Sequence, residues 1–176
     1  KLKFSYKKAN KKIVQAVKDL NLNFLGNTIE YPIVAINYLK IISKKINQFG
    51  GSLLIFDYGY TKGKNKNTLQ SIKKHKYINI FKNPGNSDIT SHVNFQLFYE
   101  ILKNNNLNVT RSVPQNEFLQ KMGIIHRANI LSKKMSFKTK SRMFYKIKRL
   151  LDYREMGALF KVLLAQKKNG RFSLGF

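Results

Sequence analysis

The chain is 176 residues long, enough for one domain with a sizeable core, and its apolar runs fall far short of the roughly 20 residues that cross a bilayer as a helix. It has no cysteine, which excludes a disulfide framework, a thiolate metal site and a cysteine nucleophile. A formal charge of +26 sets 34 lysines and arginines against 8 carboxylates, but 28 of the bases are scattered lysines that travel with 19 asparagines. That pattern reads as the solvated basic surface of an A/T-biased coding sequence rather than a nucleic-acid footprint, since charge speaks to association and not to fold.

Residues 9–20 set Ile13, Val14, Val17 and Leu20 at helical spacing among lysines, which predicts an amphipathic helix. A second helix is expected after Pro32, which suits a first-turn position, with Val34, Tyr38, Ile41, Ile42 and Phe49 as its apolar stripe and Gly50 and Gly51 as its stop. Ser52-Leu53-Leu54-Ile55-Phe56-Asp57 follows. A short, continuous apolar run of this kind predicts a strand buried on both faces, as in a parallel α/β sheet, with Asp57, Tyr58 and Gly59 at its carboxyl end where ligands bind. Thr61 to His92 is polar and reads as mainly loop, with a short helix near Thr68–Lys74. Asn94 to Lys103 has helical spacing (Phe95, Phe98, Tyr99, Leu102), Leu107–Val113 reads as a strand, and 116–151 reads as two or three short helices broken at Gly123. The last of these helices is strongly basic, with Lys138, Lys140, Arg142, Lys146, Lys148 and Arg149; Phe160–Ala165 is a final apolar run.

Several segments in this order resemble one family, the MidA-like methyltransferases, class I S-adenosylmethionine-dependent enzymes whose mitochondrial members are complex I assembly factors with protein-arginine methyltransferase activity. Gly50-Gly51-Ser52-Leu53-Leu54-Ile55-Phe56-Asp57-Tyr58-Gly59-Tyr60 is similar to the family's GG-x-x-L-x-x-DYGY strand. Thr68-Leu69-Gln70, His75-Lys76, Pro84-Gly85 and Asp88-Ile89-Thr90-Ser91-His92-Val93-Asn94-Phe95 resemble its TLQ, HK and PG-x-x-DLTAHVDF segments. Gln115, Phe118-Leu119, Met122-Gly123-Ile124 and Arg127 resemble its Q-x-x-FL-x-x-LGI-x-x-R run, and Met156-Gly157 with Phe160-Lys161-Val162 its MG-x-LFKV ending. Two positions depart from the pattern. Glu30 stands two residues before Pro32 where the family usually shows a glutamate three before, and Asn94 replaces an aspartate while keeping the acceptor a helix N-cap needs.

The resemblance implies the carboxy-terminal half of a Rossmann-like class I methyltransferase sheet, with a helical insertion at 116–155 before the last strand. All of 1–176 is then the carboxy-terminal portion of a single methyltransferase domain. The family's glycine-rich cofactor loop and ribose-binding acid do not occur in these residues, so S-adenosyl-L-methionine is implied as cofactor with its main binding loop expected in an upstream, amino-terminal half. The start at Lys1 reads as truncated, and no signal peptide is visible. The partners implied are a protein substrate, which the family suggests is a complex I subunit, and the amino-terminal half itself. Bacterial cytoplasm and mitochondrial matrix both suit the family.

A guanidinium acceptor calls for carboxylates that accept paired N–H donors. Asp57 is the first catalytic candidate, against the alternative that it caps the following turn; Asp88 is the second, against an Asx-turn or helix cap. His92 is a candidate proton acceptor or substrate contact, against a structural role. Tyr58 and Gly59 are the candidate cofactor contacts; Tyr58 and Tyr60 would stack on adenine or line the acceptor pocket, or else belong to the core. Gly59, Gly85 and Gly123 read as positions needing positive φ or close approach. No metal site is expected. The competing functions are a basic nucleic-acid-binding module and an inactive accessory or remnant half of a methyltransferase.

Overall fold

The structure is a computed structural model that describes residues 2–20, 22, 28–61, 67–82 and 84–176. Helix α1 spans Lys11–Asp19, one residue or two inside the predicted ends, and the Asn10 side chain caps it by accepting from the Lys12 N–H at 2.8 Å. Helix α2, Ile33–Phe49, opens at Pro32 and stops at Gly50, as its termini predict. Its packing face differs from the predicted stripe. Ile36, Leu39, Ser43 and Ile46 are buried, whereas Val34 and Phe49 are 69% and 70% exposed and Tyr38 and Ile41 are exposed too. The helix is apolar on more than one side, so periodicity allowed two stripes. The buried one admits Ser43 because its hydroxyl donates to the Leu39 carbonyl at 2.7 Å and leaves no polar group unsatisfied.

Strand β1, Ser52–Tyr60, runs three residues past the predicted end. It is not buried on both faces. Leu53 and Ile55 pack on the core, while Leu54 and Phe56 on the other face remain 47% and 43% exposed. Nor is its long partner parallel. Strand β8, Phe160–Lys167, pairs antiparallel with β1 from Ser52↔Gln166 to Tyr58↔Phe160, and parallel pairing is confined to Gly59↔Val93 and Tyr60↔Asn94 of β5, Val93–Asn94. β8 is the buried centre of the sheet, with Val162 to Gln166 all shielded, and it separates β1 from β6, Leu107–Val109.

The predicted Leu107–Val113 strand is broken. Between Val109↔Ala165 and Val113↔Val162 the chain has one residue more than β8 opposite it, a bulge that ejects Arg111 and Ser112 from the ladder before β7, Val113–Pro114. The short helix predicted near Thr68–Lys74 is absent. In its place β2, Gln70–Lys73, pairs with β3, Lys76–Ile78, and with β4, Asp88–Thr90, in a separate antiparallel sheet; residues 62–66 and 83 of the predicted loop lie outside the described residues. Lys74 and His75 turn the hairpin with φ of 50° and 61°, the paired positive values of a two-residue turn that matches strand twist.

Helix α3, Phe95–Asn104, is capped by Asn94, whose Oδ1 accepts from the Leu97 N–H at 3.0 Å, so the substitution of the family's aspartate keeps the cap. α2 and α3 cover one face of the sheet, and Ile36, Leu39, Phe95, Phe98, Leu102 and Leu163 meet in the core between them. Between β7 and β8 come α4 (Gln115–Lys121), α5 (Ile124–Ser132) and α6 (Phe137–Leu151), with Gly123 in the left-handed region at φ 77° as the break between the first two. The basic helix α6 buries no residue completely, and Gln115 ties α4 to its end by donating to the Leu150 carbonyl at 3.0 Å.

Candidate functional site

The carboxyl end of β1 gathers side chains from four separated segments. Glu30, just before α2, reaches the segment leading into β2. Its Oε1 accepts from the Thr68 N–H at 2.8 Å, and its Oε2 accepts from the Thr68 hydroxyl at 2.5 Å. The same hydroxyl oxygen accepts from the His92 N–H at 2.9 Å, so one threonine holds both the carboxylate and the histidine that precedes β5. The His92 ring lies edge-on to Tyr58 with centroids 5.4 Å apart, and Tyr58 meets Phe160 of β8 at 5.7 Å. Glu30, Tyr31, His92, Asn94 and Phe98 line a cavity of about 310 Å³. On the α3 side, Thr61, Gln96, Tyr99 and the bulged Arg111 and Ser112 line another of about 440 Å³.

Tyr60 records the electrostatics of this corner. Burial pushes its phenol above the ordinary value of 10.0, and the neighbouring Glu30 carboxylate pushes it further, against a hydrogen bond with Asn94 that lowers it. The raised folded-state value means that this group's contribution to stability is whole below about pH 10 and is lost as pH rises through the folded pKa. A spectrophotometric phenol titration is therefore expected to show Tyr60 ionising late, identified by its loss in Tyr60→Phe. Glu30→Gln should move it back toward 10.0; an unmoved titration would mean that the carboxylate does not act on it.

Of the residues singled out from sequence, the structure joins Tyr58 and His92 and separates the rest. Asp57 is inside β1 and not beyond its end. Its Oδ1 accepts from the Tyr58 N–H at 2.8 Å, and alternation points it to the opposite face from Tyr58. It stands across the ladder from Lys161 without forming an ion pair; burial pulls the Lys161 ammonium below its ordinary value, and its Nζ donates to the Ala158 carbonyl. Asp88 is exposed at the start of β4, opposite Ile72, and caps no helix. Gly59 is needed for close approach, as a side chain there would meet the Val93 carbonyl and the Phe95 ring. Glu30 does not stand out in the sequence because its spacing to Pro32 departs from the family pattern. Thr68 carried a signal only as the first residue of the TLQ segment.

A family model described as "Putative S-adenosyl-L-methionine-dependent methyltransferase" matches residues 1–113. The chain belongs to this methyltransferase family. It is 31% identical over 121 residues to the protein arginine methyltransferase NDUFAF7, mitochondrial, of Xenopus tropicalis, covering 68% of this chain and 28% of that protein. The homolog of Caenorhabditis elegans is 34% identical over 86 residues, or 49% of this chain and 20% of its own length. The chain thus spans a fifth to little more than a quarter of these curated relatives. Two crystal structures from Burkholderia thailandensis share the fold at TM-scores of 0.72 and 0.73 with 20% identity. The chain matches them over 96% and 97% of its length, and 46% and 45% of theirs; the second is bound to S-adenosyl-homocysteine.

For this methyltransferase-family chain the cofactor fit can be tested on its glycines. A nucleotide-type cradle needs strand, glycine turn and helix in that order, so that helix N–H groups point at the ligand. Gly50 and Gly51, at φ 82° and 101°, instead lie between α2 and β1, where they end a helix and start a strand. The described residues do not form such a cradle. What they do form is a carboxylate, an imidazole and tyrosines around a strand end.

Proposed function

We propose that the protein carrying this chain transfers a methyl group from S-adenosylmethionine to the guanidinium of a protein arginine, with this chain supplying the acceptor side of the site. The observation that supports this reading most is the 31% identity over 121 residues with a protein named as an arginine methyltransferase. When bound, the cofactor supplies the methyl electrophile, and the protein's task is orientation and electrostatics. On this reading His92 takes the proton that the methylated nitrogen sheds, since it lines the cavity with its backbone N–H held by Thr68. Tyr58 orients that ring through their edge contact. The family resemblance extends the proposal to a subunit of respiratory complex I as the acceptor, and the mitochondrial names of the relatives favour the mitochondrion over a bacterial cytoplasm.

Incubation of the intact protein with methyl-labelled S-adenosylmethionine and matched arginine and lysine peptides tests the reaction. Label in arginine is expected. Label in lysine alone, or in neither peptide nor in a complex I subunit preparation, overturns the reading.

A further inference from the structure

We infer that Glu30 anchors a cation pocket that receives the guanidinium of the acceptor, an assignment that rests on the methyltransferase reading above. In a chain with 34 basic and 8 acidic residues the overall field repels a cationic ligand, so any arginine site needs a local carboxylate shielded from lysines. The other seven carboxylates are placed for different work. Glu117 and Glu155 form exposed ion pairs with Lys121 and Arg149. Asp19 and Glu100 accept from glutamines one turn earlier, Asp152 accepts from the Arg154 N–H, Asp57 turns onto its own strand and Asp88 is exposed.

Glu30 combines three features, and the second sets it apart from Asp57, Glu100 and Asp152, which are also half-buried and outside the ion pairs. It is half-buried, it faces the 310 Å³ cavity, and among the described residues it has no cationic partner despite the excess of cations. Its two oxygens are each oriented by one donor from Thr68, which fixes the carboxylate plane and leaves further acceptor capacity on both atoms, as a forked guanidinium requires. The cavity's remaining walls suit a cation as well. Tyr31, Phe98 and His92 offer π faces or edges, and a guanidinium can stack on such rings while it pairs with a carboxylate. A neutral ligand would gain nothing from a charge held this way. A phosphate would be repelled by it.

Kinetics of the intact protein with an arginine peptide test the assignment. Glu30→Gln is expected to raise KM for the peptide by about 10- to 100-fold, the loss of a charge-assisted pair, with kcat little changed. Glu30→Asp should recover part of it. Thr68→Val removes the hydroxyl half of the tether but keeps the backbone N–H bond and the charge, so it should cost comparable thermal stability with a much smaller change in KM. If Glu30 merely ties two segments together, the two variants lose stability alike and Glu30→Gln leaves KM unmoved, which overturns the inference. Should Glu30→Gln not fold, nuclear magnetic resonance of the wild type decides. Tyr31 and His92 resonances shift with an arginine peptide and not with its neutral citrulline counterpart if the pocket reads charge; equal responses or none overturn it. Arginine methylation with unchanged KM in Glu30→Gln sinks the pocket and leaves the methyltransferase reading intact. Glu30-dependent arginine binding without any methyl transfer supports the pocket and sinks that reading.

Discussion

Replacing Phe95 by alanine is expected to lower the free energy of unfolding by about 3–5 kcal/mol, within the range for emptying a fully buried phenylalanine site. Phe95 is 0% exposed and opens α3 directly behind its Asn94 cap, where it packs with Phe98 and against Gly59 of β1. Truncation leaves a cavity at the junction of β1, β5 and α3, which cannot collapse without moving the capped helix. Against a total stability of about 5–15 kcal/mol, the loss is a large fraction. Urea unfolding should show a lower midpoint with little change in slope, and a loss below about 1 kcal/mol would contradict the packing described.

Gly59→Ala is expected to cost about 1–3 kcal/mol, and to impair the site beyond that cost. Its backbone needs no special φ; space alone excludes a side chain. A Cβ there would stand 2.2 Å from the Val93 carbonyl oxygen and 2.9 Å from two Phe95 ring carbons. A ring can swing away, but the carbonyl belongs to the strand paired with Gly59 and cannot. β5 must retreat, taking with it Asn94, His92 and the wall of the Glu30 cavity. Chemical denaturation together with arginine-peptide binding checks this, and unchanged binding would show that β5 is free to shift. The double mutant with Phe95→Ala should be less destabilised than the sum of the two, because part of the clash is with the ring that has been removed.

Helix ends were legible because their signals are local. Pro32 and Gly50 bound α2, Asn94 caps α3 and Gly123 divides α4 from α5, each through the conformational preference or side-chain acceptor of a single residue. The ordered segments from Gly50 to Val162 were legible as a family for another reason: many short matches in one order leave few alternatives, and the family match over residues 1–113 agrees with those up to Phe95. The candidate site was legible only in part. Tyr58 and His92 meet, but the charge beside them is Glu30, brought there by hydrogen bonds spanning 38 residues.

By itself, then, the sequence determined the α/β class, most of the helices, the Asn94 cap, the β1 strand and the methyltransferase family of this protein. Tertiary structure decided which stripe of α2 is buried, because both were apolar and only packing against α3 and the sheet chose between them. It also decided that β1 lies against an antiparallel β8, that the polar stretch before His92 folds as a small sheet, and that Glu30 meets Thr68. These outcomes share a physical cause. Caps and periodicity depend on residues a few positions apart, whereas strand pairing and a shared hydrogen-bond donor depend on segments whose proximity exists only after the chain has folded.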